Sequence, residues 1–267
     1  MNIQRPGPAA LILASLAGIF LALPLIAVVP ISFTPSRFLT MPNGALSLIH
    51  YRELIENPDW ARSVLLSLRI GVLTSIIATS LAVTFALGIW MFQPRFSGLL
   101  VGFVLLPMIV PPVVSAMTLY FLLTGLSQVS GLIGYDSLLG VTLAHVVMTA
   151  PFAVVLILVA LAQVDRRIDL AARGLGATPA QRAFRIILPN IKFGVATAAL
   201  LVFVLSWEEI GVTLFITSVD TITLPRLMWM GVHDNIDPAI AAISVVLIVI
   251  TTLALLGRMA WQASHRH

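Results

Sequence analysis

The chain has 267 residues, of which 59% are hydrophobic and only 10% are charged, and its mean hydropathy is +1.05. Soluble globular proteins carry about 25% charged residues, so this composition excludes an ordinary soluble domain and predicts an integral membrane protein. The absence of cysteine excludes disulfides, thiolate metal sites and cysteine nucleophiles. The net charge of +4 does not indicate a nucleic-acid partner, because the basic residues flank apolar stretches instead of forming a soluble face.

Six segments are long and apolar enough to cross a bilayer, which requires about 20 mostly apolar residues. They are roughly 9–29, 63–92, 97–123, 139–164, 191–216 and 238–262. We therefore expect an all-α, polytopic protein with six transmembrane helices, built as a single transmembrane domain over residues 1–267. If both termini are cytoplasmic, most Lys and Arg residues fall on the cytoplasmic side, and the positive-inside rule favours this orientation.

The first span is expected to be an uncleaved anchor. It is longer than the apolar part of a signal peptide, and Pro24 and Pro30 stand where a small-residue cleavage site would be needed. The segment 31–62 that follows is polar and rich in turn residues, which predicts an external loop. Within it, the stretch Ile49–Ile55 favours a short interfacial helix.

Polar or helix-breaking residues occur inside the second, third and fourth spans, among others. In the third span, Pro107, Pro111 and Pro112 remove backbone donors within six residues, which predicts a kinked helix that packs against protein. In the second span, Arg69 is expected to snorkel to the outer interface or to pair with an acid. In the fourth span, His145 fits a hydrogen-bonded packing residue better than a proton carrier.

The segment 165–189, between the fourth and fifth spans, carries too many charges for a bilayer but has apolar residues at the spacing of one helix face in each half. These residues are Ile168, Ala171, Ala172 and Leu175 in the first half, and Ala180, Ala183, Phe184 and Ile187 in the second. Gly176 suits a left-handed helix end, and Thr178 and Pro179 suit the start of a second helix, which Pro189 is expected to end. The pattern alone allows either a docking element or a loop lying on lipid headgroups.

The same segment resembles the EAA loop of ABC-importer membrane permeases, because Ala171-Ala172, Gly176 and the Ile186-x-Leu188-Pro189 group occur at the spacing of that motif. In that family the loop is cytoplasmic, fits a cleft of the ATPase subunit and transmits nucleotide-driven motion. The residues that the resemblance assigns to coupling are Leu170, Ala171, Ala172, Gly176, Ile186, Leu188 and Pro189. Leu170 stands where the family has an acidic residue, with Asp169 one place earlier.

The fifth span contains Ser206, Trp207, Glu208 and Glu209 in succession. Two carboxylates inside an apolar helix are costly unless they are paired, protonated or hydrated, which predicts an interior cavity on the substrate path. Because adjacent helical residues point about 100° apart, both acids face one spot only if the helix is broken, and Gly211 makes a break feasible. The alternative is an ion pair with Arg69 or a contact at a helix end.

The motifs exclude several activities. The chain lacks a phosphate-binding Gly-rich loop, so we expect it to bind no nucleotide, with ATP used by a partner ATPase. No hydrolase or metalloprotease motif is present, so no catalytic residues are assigned. His233, Asp234 and Asp237 form a weak metal-ligand cluster that fits a solvated loop better, and no metal site or other cofactor is expected.

The resemblance implies the type I ABC-importer permease architecture in a bacterial inner membrane, with ATP-binding subunits, a second identical or homologous permease and an extracytoplasmic substrate-binding protein as partners. The run from Ser206 to Ile210 and the stretch Thr223–Met228 are most similar to permeases for spermidine and putrescine. Permeases for iron, thiamine or organic anions are alternatives. A membrane-embedded enzyme using Glu208, Glu209 and His145 is less favoured, and a carrier working alone would be expected to show inverted repeats.

Overall fold

The structure is a computed structural model and describes residues 7–235 and 237–264. Within these ranges every regular element is a helix, as the composition predicts. The α-helices in chain order are α1 Pro8–Ser32, α2 Ile49–Glu56, α3 Pro58–Phe92, α4 Ser97–Ile109, α5 Pro112–Ser127, α6 Leu138–Ala162, α7 Arg166–Gly174, α8 Pro179–Gln181, α9 Leu188–Asn190, α10 Lys192–Glu208, α11 Thr213–Ile216, α12 Leu224–Met230 and α13 Ala239–Ser264. π-Helical turns occupy Arg182–Ile187 and Gly231–Asn235.

The described residues contain four to six candidate membrane spans. Four helices are each long and apolar enough to cross a membrane: α1, α3, α6 and most of α13. Two further pairs of helices are long and apolar enough only when each bent pair is counted as one span. α4 and α5 form one pair with a bend of 99°, and the stretch Pro179–Asn190 forms the other with α10, with a bend of 76°. The polytopic all-α prediction is confirmed, and the kink predicted for the third span is a sharp break at Val110–Pro111.

One compact unit comprises residues 1–61 and 228–267. In it, α13 packs against α1 and α2. The end of α1 is joined to α2 by Ser32, whose hydroxyl lies 2.7 Å from that of Tyr51. The short helix predicted in this segment is present as α2. Its neighbour α1 has no buried residue other than Ser32.

The other compact unit comprises residues 62–227, and its main apolar core is formed by α3, α6 and α10. Small side chains allow these helices to approach closely: Ala78, Ala86, Ala153 and Ala198 are completely buried. At Gly194 a methyl group would lie far inside van der Waals contact with Cβ of Ala160. α6 and α10 are therefore packed backbone against backbone, which only glycine at this position permits.

A second core in the same unit is formed by α5, α6 and α11. Ala116 of α5, Val141 of α6 and Val212 and Ile216 near α11 are all fully buried. This core fixes the short helix α11 beside α5 and α6. The end of α10 and the start of α11 are thereby held in place, although the helix is interrupted between them.

Candidate functional site

The fifth span is broken at its acidic residues. α10 ends at Glu208, Glu209 is extended with φ −69° and ψ 112°, and α11 begins at Thr213. The carboxylate of Glu209 turns back and accepts a hydrogen bond of 2.8 Å from the backbone N–H of Val212. One of the amides freed by the break is therefore satisfied by the acid itself, as a buried backbone donor requires.

The break in the fifth span lies beside the break between α4 and α5. A Cβ atom at Gly211 would be 3.4 Å from Oε1 of Glu209 and 4.0 Å from Cβ of Pro112. A methyl group at Gly211 would make only ordinary van der Waals contacts at these distances, so they show that the two interruptions are neighbours. Discontinuous membrane helices expose polar backbone where they line a cavity, and such breaks mark the binding sites of many transporters.

The four predicted path residues do not point to one spot. Ser206 is buried, Glu208 is exposed, and Trp207 and Glu209 are half-buried. The ring of Trp207 stacks on that of Phe203 at 6.0 Å between centroids. Glu209 and the backbone at the break are therefore next to α5, whereas Ser206 faces the protein interior and Glu208 lies on the surface of the single chain.

The break is anchored by His145 of α6, which is 1% exposed. Its Nδ1 lies 2.8 Å from Oγ of Ser206 and its Nε2 lies 3.0 Å from Oγ1 of Thr213. The Thr213 hydroxyl donates its proton to the backbone oxygen of Glu209 at 2.9 Å. Nε2 must therefore carry the proton that Thr213 accepts, and Nδ1 accepts from Ser206. The prediction of a hydrogen-bonded packing histidine is confirmed.

On the other side of the break, a polar chain leads into the loop that follows α11. Thr217 donates to the backbone oxygen of Thr213 at 2.7 Å, and Arg226 donates to the Thr217 hydroxyl. Asp136 accepts from the backbone N–H groups of Val219, Asp220 and Thr221 at 2.8 to 3.0 Å. These contacts fix the loop against the segment that precedes α6.

Asp136 is held in its charged form. Burial raises the pKa of Asp136, but hydrogen bonds from the backbone N–H groups of residues 218–221 lower it by more, so the pKa lies below its ordinary value of 3.8. Asp136 also has a positive φ of 54°, a conformation that aspartate tolerates better than most residues. The loop is therefore closed by an ionised carboxylate at neutral pH.

The segment 165–189 forms the two predicted helical parts. Asp165 caps α7 by accepting from the N–H of Arg167 at 2.9 Å, and Gly176 takes a left-handed φ of +80°. Thr178 and Gln181 cap each other reciprocally at the start of α8. The second part ends at Asn190, one residue past the Pro189 that was predicted to close the segment, and before the bend into α10. The turn before α9, Arg182–Ile187, is a π-helix. Its wider hydrogen-bond spacing tolerates a proline, which has no backbone N–H to donate.

Large apolar side chains of this segment are exposed. Leu175 is 89% exposed, Phe184 65% and Leu170 62%. Of the motif residues, Ala172 is buried, Ala171, Gly176 and Pro189 are exposed, and Ile186 and Leu188 are half-buried. The loop thus combines a buried seam that joins its two helices with an outward apolar surface, which is typical of an interaction site.

Asp169 joins the two helical parts from inside. Its Oδ2 lies 3.0 Å from Nε of Arg173 and 3.3 Å from Nη1 of Arg182. Asp169 and Arg182 are almost completely buried, and Arg173 also donates to the backbone oxygen of Met91 at 3.0 Å. Beside them, Arg166 lies over the ring of Trp90 at 5.1 Å. Asp169 therefore holds the two helical parts together, and Arg173 and Arg166 connect the loop to the end of α3.

Comparison with known families agrees with this arrangement. The family described as binding-protein-dependent transport system inner membrane component matches residues 71–262. The chain belongs to this family. It is the membrane permease subunit of an ABC importer and a multi-pass protein of the inner membrane. Permeases of this family work with ATPase subunits and a substrate-binding protein.

The permease is similar to relatives that are named for different substrates. It is 30% identical over 245 residues to the putrescine transport system permease protein PotI of Escherichia coli, covering 91% of this chain and 85% of the relative. It is 31% identical over 233 residues to a probable molybdenum ABC transporter permease protein of Haloferax volcanii, covering 83% and 86% of the two chains. The family is thus clear, and the relatives differ in substrate.

A solved structure shares the fold of the permease. A bacterial ABC transporter involved in the import of the acidic polysaccharide alginate matches with a TM-score of 0.71 over 97% of this chain and 96% of the other, at 16% sequence identity. This similarity supports the type I importer permease architecture. Sequence reasoning missed three contacts that organise the permease: Asp169 with Arg182, Gly211 with Pro112, and Asp136 with the loop at 218–221. Each joins residues from separate elements.

Proposed function

We propose that this permease imports a polyamine, such as putrescine or spermidine, and that Glu208 and Glu209 provide the negative charge on its path. The observation that carries the proposal is the position of two carboxylates at a helix break that meets a second break at Pro112. The putrescine relative supports the same substrate class. The other named substrate, molybdenum, is present in neutral water as an oxyanion, which carboxylates at the break would repel.

The geometry suits a cation that passes without being trapped. A polyamine ammonium loses hydration in a narrow path, and nearby carboxylates offset that cost. Glu209 has one oxygen engaged by Val212, so its charge is fixed in place. Trp207 adds an aromatic ring beside the acids, which favours a cation by about 0.5 to 2 kcal/mol. High affinity then belongs to the separate substrate-binding protein.

A second permease subunit, identical or homologous, is required to close the path. Glu208, Pro111 and Pro112 are exposed on the single chain. A charged side chain facing lipid costs about 2.5 to 3.5 kcal/mol on insertion scales, and unpaired backbone at a helix break is not stable in hydrocarbon. We infer that a partner permease covers this surface and that the path runs between the two subunits.

The segment 165–189 is proposed to dock on a separate ATP-binding subunit. Its exposed apolar residues Leu170, Leu175 and Phe184 provide the contact surface, and Leu170 fills the place of the family's acidic residue with an apolar one. The basic residues of the same segment favour the cytoplasmic side, and we propose that both termini lie on that side as well. The ATPase uses the nucleotide, and this chain binds none.

The test is uptake of labelled putrescine, spermidine and molybdate by the complete assembly in proteoliposomes. We expect uptake of the polyamines only. The double variant Glu208→Gln, Glu209→Gln should lower the uptake rate of polyamines at least tenfold. Glu56→Gln is a matched change outside the break and should leave the uptake rate unchanged. Leu175→Asp should lower ATP-driven uptake of every substrate without changing insertion.

Two outcomes would contradict the proposal. Full polyamine uptake by the double Gln variant would remove the role of the carboxylates. Uptake of molybdate alone would replace the substrate class while leaving the family assignment intact.

A further inference from the structure

Three side chains with metal-ligating atoms converge at α2 and the start of α13. They are His50 and Glu53, one turn apart on α2, and Asp237, just before α13. One ligand atom from each lies within 4.8 Å of the other two. All three belong to the compact unit formed by residues 1–61 and 228–267. The cluster thus joins residues that are far apart in sequence.

The histidine directs its Nδ1 toward this cluster. His50 is 5% exposed, and its Nε2 lies 3.0 Å from the backbone oxygen of Ser36. A carbonyl only accepts, so Nε2 carries a proton and donates it. Nδ1 has no hydrogen-bond partner among the described residues. An oxygen of Glu53 is 3.6 Å away from Nδ1, which is longer than a hydrogen bond.

The ring of His50 is thus already oriented as in a metal-binding histidine. Histidines that bind metals usually donate their second N–H to a carbonyl or carboxylate, which fixes the ring and the tautomer. The lone pair of an unprotonated Nδ1 would face the carboxylate of Glu53, and this contact is repulsive unless a proton or a metal cation lies between the two atoms. The distance of 3.6 Å is close to the separation of about 3.4 Å expected for two atoms bound to one tetrahedral Zn²⁺.

The third ligand is also held in position. Oδ1 of Asp237 accepts from the N–H of Ala239 at 2.8 Å and caps α13, and the N–H of Asp237 donates to the backbone oxygen of Gly231 at 3.0 Å. One oxygen of Asp237 is thus used to orient the side chain, and the other is available. Hydrogen bonds that orient the ligating side chains in this way are characteristic of metal sites.

We propose that His50, Glu53 and Asp237 bind a divalent transition-metal cation, for which Zn²⁺ is the best match. One imidazole and two carboxylates form a three-residue set that leaves a position for water. Glu53 also lines an open cavity of about 540 Å³, through which a hydrated ion reaches the site. The nearby Arg52 is paired with Glu56 at 2.7 Å, so it does not neutralise Glu53. The ion would join α2 to α13.

The experiment measures Zn²⁺ bound to the purified full-length permease in detergent, after dialysis, by elemental mass spectrometry, with Co²⁺ absorption as a probe of geometry. We expect one ion per chain. His50→Gln and Glu53→Gln should each weaken Zn²⁺ binding at least tenfold. Glu53→His, which restores a ligand, should keep it. The control His233→Gln changes an exposed histidine that stacks on Trp229 and should bind normally.

The outcomes separate a metal site from a simple ion pair between His50 and Glu53. Less than 0.1 Zn²⁺ per chain at about 10 μM free Zn²⁺ would overturn the proposal, as would equal affinity of the wild type and the His50→Gln variant. Loss of binding in both Glu53→Gln and Glu53→His would also overturn it. Because Glu53 is 44% exposed, its variants are expected to fold, so the test does not depend on the buried histidine.

Discussion

Replacing Asp169 with asparagine should open the segment 165–189 far more than any change at Arg173. Asp169 and Arg182 have side chains that are 7% and 5% exposed, whereas Arg173 is 46% exposed. The Asp169→Asn variant leaves the buried guanidinium of Arg182 without a counter-charge. Replacing the more exposed Arg173 removes a screened ion pair and one hydrogen bond to Met91, and leaves Asp169 paired with Arg182.

The magnitude follows from burial and geometry. Breaking a buried ion pair by removing one partner costs about 3 to 5 kcal/mol, whereas an exposed pair contributes about 0 to 1 kcal/mol. The contact of 3.3 Å between Asp169 and Arg182 is long, and Asp169 Oδ1 and Arg182 Nε have no partner among the described residues. We therefore expect about 3 kcal/mol for Asp169→Asn. The combined change of Asp169→Leu and Arg182→Met should be neutral or stabilising, because both desolvated charges are removed.

The assay is hydrogen exchange by mass spectrometry on peptides from residues 166–190 in the intact importer. Local opening that is easier by about 3 kcal/mol raises the exchange rate about 100-fold. Arg173→Gln serves as the comparison; it removes an exposed ion pair and the hydrogen bond to Met91, and should raise the rate only about tenfold. Equal exchange in the Asp169→Asn and Arg173→Gln variants, or faster exchange in the double apolar variant than in Asp169→Asn, would refute this explanation of the loop.

Two further predictions concern the polar contacts around the helix break. His145→Leu removes two interhelical hydrogen bonds, each worth about 0.6 and at most about 1.7 kcal/mol in a membrane protein, so it should lower the free energy of unfolding in detergent by about 1 to 3 kcal/mol; Thr84→Val, which removes a bond within one helix, should change it by less than about 0.5 kcal/mol. An unchanged unfolding midpoint for His145→Leu would count against the anchor. Asp136 has a lowered pKa in the folded state, so its contribution to closing the loop at 218–221 is present at neutral pH and is lost as the pH falls below 3.8 through the lowered value. Exchange in that loop, corrected for the intrinsic rate, should rise in this acid range, and in Asp136→Asn it should be raised already at about pH 7 without an acid step.

The segment 165–189 could be predicted in detail because its determinants are local. Gly176 and the pair Thr178 and Gln181 act within one turn of the backbone. The buried contact of Asp169 with Arg182 depends on how the chain folds back over the glycine, and spacing along one helix does not reveal it. The π-helix that precedes Pro189 was also missed, since a proline signal does not indicate whether a π-turn will accommodate it.

The break at the acidic residues shows a similar limit. The sequence indicates that two carboxylates in an apolar span need a cavity or a partner, and Gly211 suggests where the helix is interrupted. It does not indicate that the Glu209 carboxylate accepts from the N–H of Val212, or that Pro112 lies beside Gly211. His50 and Asp237 likewise come together through the packing of α2 against α13, which no local pattern records.

The close packing at Gly194 has a mechanical consequence. α10 begins directly after the segment 165–189 and ends at Glu208, so its 17 residues span about 25 Å. α6 packs directly against α10 at Gly194, so we expect the two helices to move together. A displacement applied at the loop would then reach the acids at the break and His145 beside them. The loop and the helix break are the two ends of one helix.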